Sequence, residues 1–86
     1  LDQRRTTLSE TKPDATLDVR GLFCPVPIVK LSEAIKNYPT GTVLEVLATD
    51  PGTLTDIPAW AKTSGNQLLK TEREGTVMKF QVKKTK

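Results

Sequence analysis

Two prolines one residue apart, Pro25 and Pro27, constrain this chain more than any other feature. Neither has an N–H to give to a ladder or a helix interior, so no strand runs through them and a helix can only begin there. Each also biases the residue before it, Cys24 or Val26, away from helical angles. Either proline can open the first turn, and either choice leaves Cys24 at the positive end of the helix that follows. Upstream, Leu17 and Val19 alternate with Thr16, Asp18 and Arg20 as far as Gly21, the pattern of a short half-buried strand. The stretch Asp18-Val19-Arg20-Gly21-Leu22-Phe23-Cys24-Pro25-Val26-Pro27 is therefore a strand-to-helix junction that carries the chain's only thiol.

Beyond the prolines, Ile28, Leu31, Ala34, Ile35 and Tyr38 recur at helical spacing, with Lys30, Glu33, Lys36 and Asn37 on the opposite side. Pro39 and Gly41 end that helix, which spans about 20 Å over 25–37. Thr42-Val43-Leu44-Glu45-Val46-Leu47-Ala48 is β-branched and nearly continuous in apolar content, as in a buried central strand. Strand, helix, strand in this order favours parallel pairing. Asp50-Pro51-Gly52 is a turn, after which Leu54, Ile57, Trp60, Ala61 and Ser64 predict a second helix ending at Gly65. An interior proline costs about 3 kcal/mol, so Pro58 places the true start of this helix at itself, with Asp56 as its cap. Two strands over 67–71 and 77–82 form a hairpin joined at Glu74-Gly75. Met78, Phe80 and Val82 share one of its faces; Lys79, Gln81 and Lys83 share the other. The expected fold is βαβαββ, an α/β (α+β) two-layer sandwich: a four-stranded mixed sheet with two helices on one face. Residues 1–14, polar and turn-rich, are expected to be a mobile extension, leaving 15–86 as the folded domain.

Several chemistries are closed to such a chain. Its 86 residues hold one domain, and a single Cys with no His makes no internal disulfide, zinc cluster or thiol–imidazole pair. No metal and no cofactor is expected. No apolar run reaches membrane-spanning length, and one lone thiol without an export segment suits a cytoplasmic protein. The net charge of +3 is mild. Lys79, Lys83, Lys84 and Lys86 read as solvated, with docking of an acidic protein as the functional alternative. Phe23, Tyr38, Trp60 and Phe80 are the only aromatic residues, and most have core or loop places, which argues against direct nucleic-acid binding. Trp60 itself reads as core.

Cys24 is the candidate reactive group. A lone Cys is often a small core hydrophobe, but a residue before Pro at a strand-to-helix junction lies at the sheet edge. The amides of Val26 and Ile28 are the natural donors toward a thiolate there. A helix terminus supplies about 0.3–1 kcal/mol, so a modestly lowered thiol pKa is expected, with Arg20 adding to it if the loop folds back. With no second Cys the chain cannot be a disulfide oxidoreductase. One exposed thiol can still accept a group, hold it and pass it to another protein's thiol, and a persulfide is such a group.

The pattern Asp18-x-Arg20-Gly21-x-x-Cys24-Pro25-x-Pro27, followed by an amphipathic helix and the βαβαββ order, resembles the TusA-like (SirA-like, YedF-like) sulfur carriers over about residues 16–82. Asp50-Pro51, Asp56-Ile57 and Gly65 resemble the family's second-helix region. The resemblance implies that Cys24 receives sulfur as a persulfide from a protein donor, a cysteine desulfurase or rhodanese-like protein. It then passes the sulfur to a protein acceptor in a relay serving tRNA thiolation, cofactor maturation or sulfur metabolism. The chain would act as a relay substrate more than a turnover enzyme. Asp18, Arg20 and Gly21 would shape the loop and its charge, and Pro25 and Pro27 would fix the helix start. For Asp18 and Arg20 a purely structural ion pair competes with that role. A small RNA-binding or regulatory module, suggested by the basic balance and an open sheet face, is the second functional reading. An interaction domain with a buried thiol is the third.

Overall fold

β1 (Ala15–Val19) and β2 (Val43–Ala48) lie side by side and parallel in the computed structural model, which describes residues 13–85. Between them runs α1 (Val26–Ile35); after β2 come α2 (Thr53–Ser64), β3 (Gln67–Glu74) and β4 (Val77–Lys83). β4 inserts antiparallel between β2 and β3, giving the sheet order β1-β2-β4-β3. The expected element order and mixed sheet are those observed.

The register explains why the helices share one face. Leu17, Val46 and Phe80 stand abreast, as do Val19, Ala48 and Met78, and Leu44 with Val82. Seven of these eight, together with Leu31, Ile35 and Ile57, form one buried cluster, with Leu17 and Leu22 packed on its edge. α1 contributes Pro27, Leu31 and Ile35, spaced four apart, and α2 contributes Thr53, Ile57 and Ala61 at the same spacing. The opposite sheet face carries Glu45, Lys79, Gln81, Glu72 and Lys70 on neighbouring strands, where Lys79 pairs with Glu74 at 2.9 Å and Lys70 with Glu72 at 3.2 Å. That face alternates in sign.

Several local expectations are corrected. α2 starts a full turn before Pro58, and Asp56 lies in its first turn without capping it. The start is fixed by Asp50, whose carbonyl accepts the Thr53 N–H at 3.0 Å and its hydroxyl at 2.7 Å. Thr53, Ile57 and Ala61 are each at most 3% exposed, so burial of that stripe carries the helix through the one backbone bond Pro58 cannot make. The hairpin turn is Gly75-Thr76, one residue later than expected, with Gly75 at φ +60. Lys84 is not a solvated tail residue, since its Nζ donates to the Tyr38 carbonyl at 2.7 Å beyond the end of α1. Asp14, assigned to the mobile extension, is bonded to Val43 at both ends. Its N–H donates to the Val43 carbonyl at 2.7 Å, and its carboxylate accepts the Val43 N–H at 2.9 Å. Residues 1–12 and Lys86 lie outside the described residues.

If α2 is continuous from Thr53, Ile57→Val removes a fully buried methylene and lowers stability by about 0.5–1.5 kcal/mol. Leu54→Ala, at a position 39% exposed, costs less than about 0.5 kcal/mol. Urea unfolding of the two variants checks both values.

Candidate functional site

Because β1 and β2 are parallel, their C-terminal ends fall at one edge of the sheet, and the loops leading into α1 and α2 meet there. Two bonds join the loops. The Gly21 N–H donates to Thr49 Oγ1 at 2.8 Å, and the Cys24 N–H donates to Asp50 Oδ2 at 2.8 Å. Asp50 Oδ1 also accepts the Gly52 N–H at 3.2 Å, so one carboxylate fixes both the thiol loop and the head of α2. Gly21 sits at φ +81, a left-handed angle that favours glycine, and this turns the chain from β1 toward Cys24.

Cys24 is exposed, as expected from its position before Pro25. Pro25 precedes the first turn of α1 and is exposed, whereas Pro27 lies within that turn and is buried as part of the core. The sulfur is not surrounded by free amides. The Val26 N–H is taken by the Phe23 carbonyl at 2.9 Å, and those of Ile28 and Val29 by the Pro25 carbonyl at 3.1 Å each. The expected anion nest is therefore absent among the described residues, since the chain uses these donors to close its own first turn. The Cys24 thiol donates instead to Asp56 Oδ2 of α2.

This contact reverses the expected pKa shift. A carboxylate accepting the S–H stabilises the protonated form, and the Cys24 thiol is pushed up from its ordinary value near 9.0 to about 11. The Asp56 hydrogen bond is the largest cause, followed by desolvation and the negative charges of Asp56 and Asp50. Helix polarity, at about 0.3–1 kcal/mol, is too small to offset them. Asp50 is held below the ordinary carboxylate range by the Cys24 and Gly52 amides.

Arg20 does not reach the sulfur. Its guanidinium forks onto Asp18, with Nε to Oδ1 at 2.9 Å and Nη2 to Oδ2 at 2.8 Å, and its own N–H also donates to Oδ1 at 3.0 Å. These bonds hold the Asp18 carboxyl down at about 2. The pairing thus contributes above the ordinary carboxylate range and is lost as pH falls toward 2, and both side chains are half-exposed. Of the sequence candidates, the structure brings Cys24, Pro25 and Gly21 to one corner and gives Asp18 and Arg20 to each other. Asp50 and Asp56, which touch the Cys24 backbone and sulfur, were not among them; the signal that could have found Asp50 is its place two residues after the strand that pairs with β1.

Beside the two carboxylates, apolar side chains of the thiol loop and of the two helix starts are exposed. Phe23 is 73% exposed, and Val26, Val29 and Leu54 are 39–49% exposed. A side chain at Gly52 would place its Cβ 3.5 Å from Sγ, so glycine leaves that approach clear. Trp60 packs on the core edge but also lines a shallow groove of about 400 Å³ with Pro25, Ile28, Asp56, Ala59 and Thr63. Its reading as a core residue holds for the side that packs on the sheet cluster.

Fold and site together define a small α+β sandwich that presents one exposed thiol at the carboxyl edge of a parallel strand pair. The family model described as sulfurtransferase TusA matches residues 15–84, and the chain belongs to that family. It is 42% identical over 72 residues to the sulfur carrier protein TusA of Allochromatium vinosum, covering 84% of this chain and 95% of that protein. With YrkI of Bacillus subtilis it shares 44% identity over 73 residues, 85% of this chain and 97% of the relative. A protein of Aquifex aeolicus is 51% identical over 67 residues, 78% of this chain, but the match spans only 34% of that relative's length. The crystal structure of a SirA-like protein from Desulfitobacterium hafniense superposes with a TM-score of 0.71 at 22% identity, over 84% of this chain and 99% of that one, and shows the same fold.

The site predicts a slow thiol. Alkylation of Cys24 by iodoacetamide rises with a midpoint well above 9.0 and near 11. The folded state binds this proton more tightly than the unfolded one. Its contribution to stability is complete below about pH 9 and is lost as pH rises toward 11, measurable as a falling urea midpoint.

Proposed function

We propose that this chain is a sulfur carrier that holds sulfur as a persulfide on Cys24. The carrying observation is one exposed thiol on an ordered corner of a chain with no second Cys. The Cys24 sulfur, on losing its proton, attacks the outer sulfur of a donor persulfide. The Sγ–S bond forms, the donor's S–S bond breaks, and the donor leaves as a thiolate that takes up a proton. Nothing is oxidised or reduced overall. An acceptor thiol then attacks the outer sulfur and releases Cys24 in the same way. A neighbouring thiol in the same chain would attack Sγ, close a disulfide and expel sulfide, so a solitary Cys preserves the cargo.

Family membership supports protein partners on both sides of this exchange, and the names of the relatives support sulfur as the cargo. The finer reading is a cysteine desulfurase or rhodanese-like donor, and an acceptor serving tRNA thiolation, cofactor maturation or sulfur metabolism. In it, 15–86 is the carrier domain, located in the cytoplasm, acting as a relay substrate. No helix among the described residues is long and apolar enough to cross a membrane. Nothing favours the RNA-binding reading: the open sheet face alternates in charge, and Phe80 is buried.

Incubation with a cysteine desulfurase, cysteine and pyridoxal phosphate adds one sulfur mass, removed by reductant, and Cys24→Ser adds none, as read by intact-mass spectrometry. Full loading of Cys24→Ser would end the proposal.

A further inference from the structure

Two carboxylates face the Cys24 sulfur loop, and among the described residues no cation is paired with either. Asp56 on α2 accepts the thiol, and Asp50 on the loop before α2 accepts the Cys24 amide. At the end of β1, Arg20 is engaged by Asp18. On α1 the first charged side chains are Lys30 and Glu33, beyond the first turn, and α2 has Lys62 only in its last turn. Among the described residues, neither Asp50 nor Asp56 forms an ion pair with Lys or Arg.

A carboxylate that accepts the S–H favours the protonated form of the sulfur over the thiolate. The Asp56 contact therefore holds the S–H in place and does not generate a thiolate. The rim of Phe23, Val26 and Leu54 adds a second constraint. Any protein that exchanges sulfur with Cys24 must cover this rim, and covering it removes water from Asp50 and Asp56. Buried carboxylates without a counter-charge are costly, so a productive partner has to bring one.

Resting on the carrier reading of Cys24, we propose that Asp56 is a positioning residue that holds the unoccupied carrier as a neutral thiol. It frees the sulfur when a partner sets a lysine or arginine against the Asp50–Asp56 pair. The partner surface this corner fits is a cysteine flanked by basic side chains and an apolar footing. With the carboxylates neutralised, the Sγ proton is no longer held and passes to the departing donor thiolate. Small neutral or anionic thiol species lack the cation and exchange slowly, which protects the carrier from unproductive reaction between partners.

The test uses the whole chain and two methanethiosulfonate reagents of similar size, one with a trimethylammonium head and one with a sulfonate head, at pH 7 and low salt. Relative to the ratio the same two reagents show on 2-mercaptoethanol, the unsubstituted chain favours the cationic reagent about tenfold or more, a preference that shrinks with added salt. Asp56→Asn, nearly isosteric at a half-buried position, cuts this ratio several-fold and lowers the midpoint of the iodoacetamide pH profile, while Asp56→Glu keeps both. Asp50→Asn also cuts the ratio. A ratio in the unsubstituted chain no larger than that on 2-mercaptoethanol, or a ratio and pH profile unmoved in Asp56→Asn with its unfolding transition intact, would overturn the proposal. These readouts need no sulfur loading. A chain that never accepts sulfur but shows them would fail as a carrier while the role of Asp56 stands.

Discussion

The parallel pairing of β1 with β2 is the constraint from which the site follows. Two parallel strands end at the same edge, so the two loops that leave them, and the two helices those loops start, are brought to one corner. Asp50 turns that proximity into a fixed geometry. The Asp50 carboxylate accepts the Cys24 and Gly52 amides, and its backbone carbonyl caps Thr53, so the thiol loop and the head of α2 hang on a single residue. Gly21 and Thr49 add a second tie nearer the strands. The sulfur sits outside the core but on backbone that the core determines.

Given that corner, electrostatics decides the state of the thiol. A helix start and a nearby arginine would favour thiolate; two carboxylates favour thiol. The first influence is worth under about one pKa unit. The second wins because Asp56 makes direct contact, and because Arg20 is spent on Asp18 and the first-turn amides of α1 on backbone carbonyls. A carrier differs here from an enzyme nucleophile. It must be stable between encounters and reactive within one, and a protonated resting sulfur held by a carboxylate meets the first need.

Most of the fold was legible because its signals are local and periodic. Ile28, Leu31 and Ile35 mark one helix face, the run from Val43 to Ala48 marks a central strand, and Met78, Phe80 and Val82 mark one side of a hairpin. Cys24, Pro25, Pro27 and Gly21 were legible for the same reason, as punctuation between a strand and a helix. The readings that failed applied a local rule where a distant contact governs. Pro58 looks like a helix start until Thr53 and Ile57 are seen buried against the sheet. Asp56 looks like a cap until it is seen beside a sulfur 32 residues away, and Asp50 meets the Cys24 amide across 26. Such contacts depend on which strands pair, and periodicity does not encode their chemistry.

A carrier of the kind proposed holds sulfur on Cys24 intact and surrenders it, leaving the thiol as it was. The direct measurement loads the chain with labelled sulfur, removes the donor and adds cyanide, a nucleophile specific for sulfane sulfur. One thiocyanate is expected per loaded chain, with the protein returning to its unmodified mass and a free Cys24. Label that stays on the protein, or that leaves while Cys24 ends in a mixed disulfide, would contradict the proposal.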